Sequence, residues 1–217
     1  YADDSFKKDK EIVLITVKNN GDALQYADDS FKKDKEIVLE AVKNYGGALE
    51  HADDSLKKNK EIVLAAVKDY APAIEHADDS LKKDKKFILD IQDGSILQYI
   101  DDSLKKDKDF ILEVVNQGGR DDITGVYLEY ADDSLKKDKE IVLEAVKQDG
   151  SAFQYADDSL KKDKEFIDIA VKQNIRAIKY ADISLSIDKK KALELIQGNL
   201  ISLSTLPNKF KKDKDVV

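Results

Sequence analysis

The chemistry-bearing residues of this chain are carboxylates and lysines set in doublets. Asp28 and Asp29 precede Lys32 and Lys33, and the same Asp-Asp and Lys-Lys doublets recur along most of the 217 residues. Two acids side by side could serve acid–base catalysis or hold a cation. Here they repeat almost unchanged from unit to unit, whereas an active site is singular. Lysine also stands where calcium would need oxygen ligands, and no loop glycine is present as in an EF-hand. The two histidines, His51 and His76, occupy equivalent places in neighbouring units and share them elsewhere with tyrosine. Two imidazoles about one repeat apart, with no third ligand, do not make a zinc site; both read as packing residues. With no Cys, thiolate ligands, cysteine nucleophiles and disulfides are impossible. There is no Gly-rich phosphate loop. These residues predict a non-catalytic protein with no cofactor and no metal.

The doublets belong to a longer repeat. Tyr1-Ala-Asp-Asp-Ser-Phe-Lys-Lys-Asp-Lys-Glu11 returns nearly verbatim from Tyr26, His51, His76, Tyr99, Tyr130 and Tyr155. A worn copy starts at Tyr180 and a truncated one at Thr205. A period of 25 residues that fills the chain makes residues 1–217 one array, and short periodic units of this size are the signature of stacked repeats. The chain starts at Tyr1 without an initiator Met, so it is expected to be a segment of something longer.

Each unit reads as two short helices. Asp34 is placed to cap a helix over Lys35 to Lys43, with Glu36 in the first turn and Lys43 near the negative end. Ile37, Val38, Ala41 and Val42 share one face, so this helix is expected to be buried between neighbours. Gly46 reads as its C-cap. A second helix is expected from Gly47 or Ala48 to Lys58, with the stripe Ala48, Leu49, Ala52 and Leu56 turned inward. Pro72, at the equivalent of Gly47, suits a first helical position. On the outer face, Asp28–Lys32 and Asp29–Lys33 are expected i, i+4 pairs of about 0.2–0.5 kcal/mol each. Neither helix is long enough to stand alone. The expected fold is therefore all-α, an elongated, superhelical α-α solenoid of 25-residue two-helix units.

The pattern Ala-x-x-Ser-Leu-Lys-x-Asp-Lys-Glu-[Ile/Val]-Val-Leu-x-Ala-Val-Lys-x-x-Gly-x-Ala-[Leu/Phe]-x-Tyr resembles the tandem repeat known as domain of unknown function 4116. The resemblance covers about Tyr1 to Val217 and is closest from Lys136 to Tyr155. It implies a helical array of the kind found in bacterial and protist proteins. It implies no activity, cofactor or catalytic residue.

Against this constant frame, the departures carry the information. The positions equivalent to Glu40 hold Ala65, Asp90, Glu113 and Glu144, with Ile15 and Ile169 in the first and seventh units. Variation on a fixed frame suits a surface that reads a partner, and its acidic bias favours a basic or polar peptide. The fourth unit lacks two residues near Leu89–Gly94. The fifth gains six within 116–126, a Gly-rich stretch carrying Arg120, expected to be a bend or a contact loop. In the seventh unit Asp168 and Ile169 exchange the usual order, which is expected to rotate the apolar arc. In the eighth, Ile183 and Ile187 replace one acid–lysine pair, so that face is expected to be covered.

A net charge of −8 argues against nucleic acid, and no apolar run approaches the roughly 20 residues of a membrane span. The reading that results is a helical-repeat scaffold or protein-interaction module. The alternatives are the passive repeat region of a larger secreted effector or enzyme and, as a minor one, a nucleic-acid-binding array. End-to-end self-association is a further expectation. The compartment is not legible, either cytoplasm or secretion being compatible with the residues.

Overall fold

A computed structural model describes residues 6–117, 127–182 and 189–198. Each unit contributes one long helix: α1 (Lys10–Asn19), α2 (Lys35–Asn44), α3 (Lys60–Asp69), α4 (Lys85–Ile91), α5 (Lys108–Gln117), α6 (Lys139–Gln148), α7 (Lys164–Gln173) and α8 (Lys189–Gln197). All assigned elements among the described residues are helical.

The long helices start where an Asp or Asn side chain can take their first free amides. Asp34 Oδ1 accepts from the amides of Glu36 and Ile37 at 2.9 and 3.3 Å. Asn59 does the same for α3 and Asp138 for α6. Past the cap, Ile37, Val38, Ala41 and Val42 have no exposed surface, nor do Ile62, Val63 and Ala66 one repeat later. Burying an aliphatic side chain of this size contributes about 1.5–3 kcal/mol, far more than the propensity of a ten-residue helix.

The helix does not end on glycine as expected. Tyr45, in extended conformation with φ −150°, closes α2 and donates its amide to the Ala41 carbonyl at 2.9 Å. Gly46 serves packing instead. A Cβ there would collide with the Ala66 carbonyl oxygen of the next unit and come within 3.0 Å of Tyr70 Cβ. Gly21 stands in the same relation to Ala41 and Tyr45.

The second helix of the unit is broken in two. A 3-10 helix runs from Gly46 to His51, and the equivalent Ala71–His76 carries Pro72 within its first two positions. An extended joint follows, then a short turn such as Asp29–Lys32 or Asp79–Lys82. The first Asp of each doublet makes the break. Asp28 Oδ1 accepts from both the Ser30 amide (3.0 Å) and the Ser30 hydroxyl (2.7 Å), so Asp28 caps the second piece instead of lying inside one helix. The expected i, i+4 partners are therefore replaced in the described second unit. Asp29 pairs with Lys32 at i, i+3 (3.1 Å), and Lys33 reaches Asp53 of the next unit at 3.8 Å.

Being outside any helix, the capping Asp also has a free amide, which it gives to the preceding unit. Asp53 donates to the Lys32 carbonyl and Asp78 to that of Lys57, both at 3.0 Å. Asp132 and Asp157 repeat the bond to Lys105 and Lys136.

The chain forms two compact units, 1–104 and 105–217. In the first, α1, α2, α3 and α4 pack in sequence order, with the short segments Gly21–Tyr26, Gly46–His51, Ala71–His76 and Gly94–Gln98 stacked as a second layer. In the second, α5, α6 and α7 pack in order, and Gly150–Tyr155 lies on Ile175–Tyr180. Neighbour-on-neighbour stacking of two helical layers is the expected α-α solenoid arrangement.

The shortened fourth unit is absorbed at one residue. α4 stops at Ile91, and Gln92 turns the chain with φ 57° and ψ 29°, left-handed backbone that a glycine would adopt more easily. In the seventh unit the apolar arc is not rotated. Phe166, Ile167 and Ala170 are buried as Ile141, Val142 and Ala145 are, because the same three places face the neighbours. Asp168 and Ile169 both remain exposed.

Candidate interaction surface

The polar edge of the long helices divides into two columns with different fates. At the place of Glu36, the acids Glu36, Glu61 and Glu140 are drawn into bonds between units. Lys10, the first residue of α1, reaches Asp34 at 2.8 Å and Glu36 at 3.1 Å in the next unit. Lys108 grips Asp138 and Glu140 in the same way, each at 2.8 Å. Where the pattern changes, the lysine adapts. Asn59 offers no carboxylate, so Lys35 goes to Glu61 at 2.7 Å. Lys60 holds Asp84 alone at 2.5 Å where Lys86 stands in the second acid's place, as Lys139 holds Asp163 alone at 2.8 Å beside Glu165. The lysine hydrogen bonds hold the Asp34 and Asp84 carboxyls below the usual carboxylate range and raise Lys10 and Lys108 above the usual lysine value. This column follows from an acid 24 or 26 residues after Lys10, Lys35 and Lys60, and 30 or 32 after Lys108 across the insertion, a spacing that means something only once the units are stacked.

The column of Glu40 stays on the surface. Glu40 is half-buried and lies 3.1 Å from Lys43, one turn on, with Lys18 at 3.9 Å. Glu144 pairs with Lys147 at 3.2 Å. Ala65 leaves Lys68 with no carboxylate partner among the described residues, and Ile169 leaves Lys172 likewise. Asp90 and Glu113 are exposed acids with Asp93 and Asn116, rather than lysine, three residues on. The strip is thus not uniformly acidic, since two of its glutamates are neutralised by their own helix. Arg120, Ile183, Ile187 and the 118–126 part of the insertion lie outside the described residues.

A third position escapes a reading of the repeat by its constant residues. The residue before the 3-10 helix is Asn20, Tyr45, Tyr70 and Asp93 in the first four units and Asp149 and Asn174 in the sixth and seventh. Asn20, Asp93, Asp149 and Asn174 each accept a backbone amide two residues on, at 2.9–3.2 Å. Tyr45 and Tyr70 make no such bond, and they are 44% and 46% exposed. The Tyr45 ring lies across Gly47, whose Cβ would fall 2.6 Å from the ring's Cζ. A tyrosine where the other units hold a capping residue is the signal in the sequence.

The column of tyrosines and histidines to which His51 and His76 belong is unevenly buried. Tyr26 is 67% exposed, whereas His51, His76, Tyr99 and Tyr155 are half-buried. His51 Nε2 sits 3.3 Å from Asp22 Oδ1 of the preceding unit. Burial, with a hydrogen bond to Glu129, raises the Tyr155 hydroxyl above the usual tyrosine value. No three metal-ligating side chains converge among the described residues, and no helix there is long and apolar enough to cross a membrane.

The sequence model of one family, Domain of unknown function (DUF4116), matches residues 1–32, 9–57, 34–82, 59–91, 92–121, 122–159 and 138–186. Neither the curated proteins nor the solved structures contain a match to the chain. Overlapping matches that together run from 1 to 186, each beginning inside the one before or directly after it, are those of a tandem array, and the chain belongs to the DUF4116 repeat family.

Proposed function

We propose that this array is a non-catalytic protein-interaction module whose long helices read an extended partner segment by charge. The observation that carries the reading is the change at the Glu40 place on an otherwise fixed frame. In the first compact unit, successive helices present a self-neutralised pair (Glu40–Lys43), a free cation (Lys68 beside Ala65) and a free acid (Asp90). The buried positions beneath scarcely differ between α2 and α3. A surface of this kind favours a zwitterionic segment over a uniformly basic one, with an acid opposite Lys68 and a base opposite Asp90, since complementary potentials set register.

The test is affinity capture with the whole chain, followed by titration of the purified partner. Ala65→Glu, which supplies Lys68 with the i, i+3 acid that Lys43 has, combined with Asp90→Ala, is expected to weaken binding at least about tenfold. Unchanged affinity in that double variant would remove the charge-reading role.

A further inference from the structure

Helix α1 carries on its outward side what other units keep covered. Ile12 stands at the place of Ile37 and Ile62, which have no exposed surface, yet it is 38% exposed. Thr16, at the place of the buried Ala41 and Ala66, is exposed too. Ile15, at the place of Glu40, is 55% exposed. At about 100° per residue, Ile12, Ile15, Thr16 and Asn19 share one arc, with Val13 and Val17 buried behind it. A unit stacked in the ordinary way covers the Ile12 place and leaves the Glu40 place at the surface. Ile15 therefore calls for an occupant that also reaches over this edge.

The charges beside the arc say what that occupant is. Glu11 and Lys18 lie on one edge of the arc, at opposite ends of α1. Glu36, Glu61 and Glu140 each hold a lysine of the preceding unit, whereas Glu11 has no cationic partner among the described residues. Lys18 is half-exposed and comes no closer than 3.9 Å to Glu40. An antiparallel second copy of α1, related by a two-fold axis, keeps this edge on the same side of both helices and reverses its direction. Each Glu11 then faces the other copy's Lys18, while Ile12 and Ile15 of both copies close on each other. A face of this kind is complementary to itself, as a closed two-fold interface requires.

We infer that the exposed face of α1 is a self-association surface, through which two copies of the chain pair as an antiparallel, two-fold dimer by Ile12, Ile15, Glu11 and Lys18. The contact uses the first helix alone and leaves Lys68 and Asp90, on α3 and α4, out of the pairing.

Two ten-residue helix faces bury less than a standard interface, so weak pairing is expected in sedimentation equilibrium of the whole chain, with Kd about 10–100 μM. Ile15→Glu gives α1 the glutamate–lysine pair that Glu40 makes with Lys43, so the fold is kept. It is expected to raise Kd at least about tenfold with no fall in melting temperature. Glu11→Lys and Lys18→Glu each set like charges at both contacts, and each alone is expected to be monomeric where the parent chain pairs. Mixed in equal amounts, one copy carries lysine at both positions and the other glutamate, so a heterodimer is expected. A mass that stays monomeric up to about 1 mM overturns the inference. So does a mass that grows beyond the dimer, the mark of head-to-tail stacking. Pairing that Ile15→Glu leaves unchanged, or a charge-swapped mixture that stays monomeric, overturns it as well.

Discussion

The first Asp of each doublet does three things with one residue. At Asp53 the carboxylate accepts the Ser55 amide (3.0 Å) and hydroxyl (2.6 Å), the amide reaches the Lys32 carbonyl, and the charge faces Lys33 at 3.8 Å. Asp53→Ala removes the cap of the turn and the charge but keeps the amide bond, so a lower midpoint is expected in urea unfolding. The same geometry predicts the acid response. Asp28, Asp53, Asp78, Asp101, Asp132 and Asp157 are all held below the ordinary Asp value, first by the serine hydroxyl and then by the serine amide. A carboxyl that is more acidic folded than unfolded stabilises the fold above its unfolded value of 3.8. That contribution is lost as pH falls through the lower folded value. Thermal melts followed by circular dichroism are expected to hold steady from neutral pH down to about 5 and to fall steeply below about 4. A melting temperature that stayed level to pH 2 would mean that these caps contribute nothing.

At the scale of elements, the long helix was legible and the second was not. Asp34 before Lys35, with Ile37, Val38, Ala41 and Val42 at helical spacing, carries both the cap and the buried face in its own residues. The Ala-Asp-Asp-Ser segment misleads because acids and lysines four apart also describe a helix interior. What breaks the helix is the Asp–Ser cap together with an amide bond to a carbonyl 21 residues earlier, and that partner belongs to a different unit. The lysine column, and the true role of Gly46, were hidden for the same reason. Of the candidate strip, the surface edge that holds Glu40, Ala65, Asp90, Glu113 and Glu144 was readable from the frame. The half-burial of Glu40, Ala65 and Glu144 and the pairing of Glu40 with Lys43 depended on packing and rotamers. The shortened α4 gives the element-scale prediction. Gln92 holds φ 57°, a conformation that costs a non-glycine residue about 1 kcal/mol or more. Gln92→Gly is expected to stabilise the chain by up to about 1 kcal/mol in urea unfolding, whereas Gln92→Val is expected to destabilise it. Equal stability of all three would show that the turn is not under strain.

At the scale of the whole molecule, the charge that looked like a global character is largely used within the stack. Lys10 with Asp34 and Glu36, Lys33 with Asp53, and Lys58 with Asp78 join one unit to the next. Backbone bonds and the apolar faces do the same, so each unit is held chiefly by the two beside it. Stability in such an array is a sum of unit terms and nearest-neighbour interfaces. Ile62 tests this within the first compact unit, because it has no exposed surface and α3 packs between α2 and α4. Ile62→Ala is expected to cost about 2–5 kcal/mol locally. In native-state amide exchange, protection in α2, α3 and α4 is expected to fall at least about thirtyfold, the equivalent of about 2 kcal/mol. The fall in α1, one unit further away, is expected to be less than about tenfold. Equal loss from α1 through α4 would mean that the compact unit opens as a single cooperative body, and the nearest-neighbour account would fail.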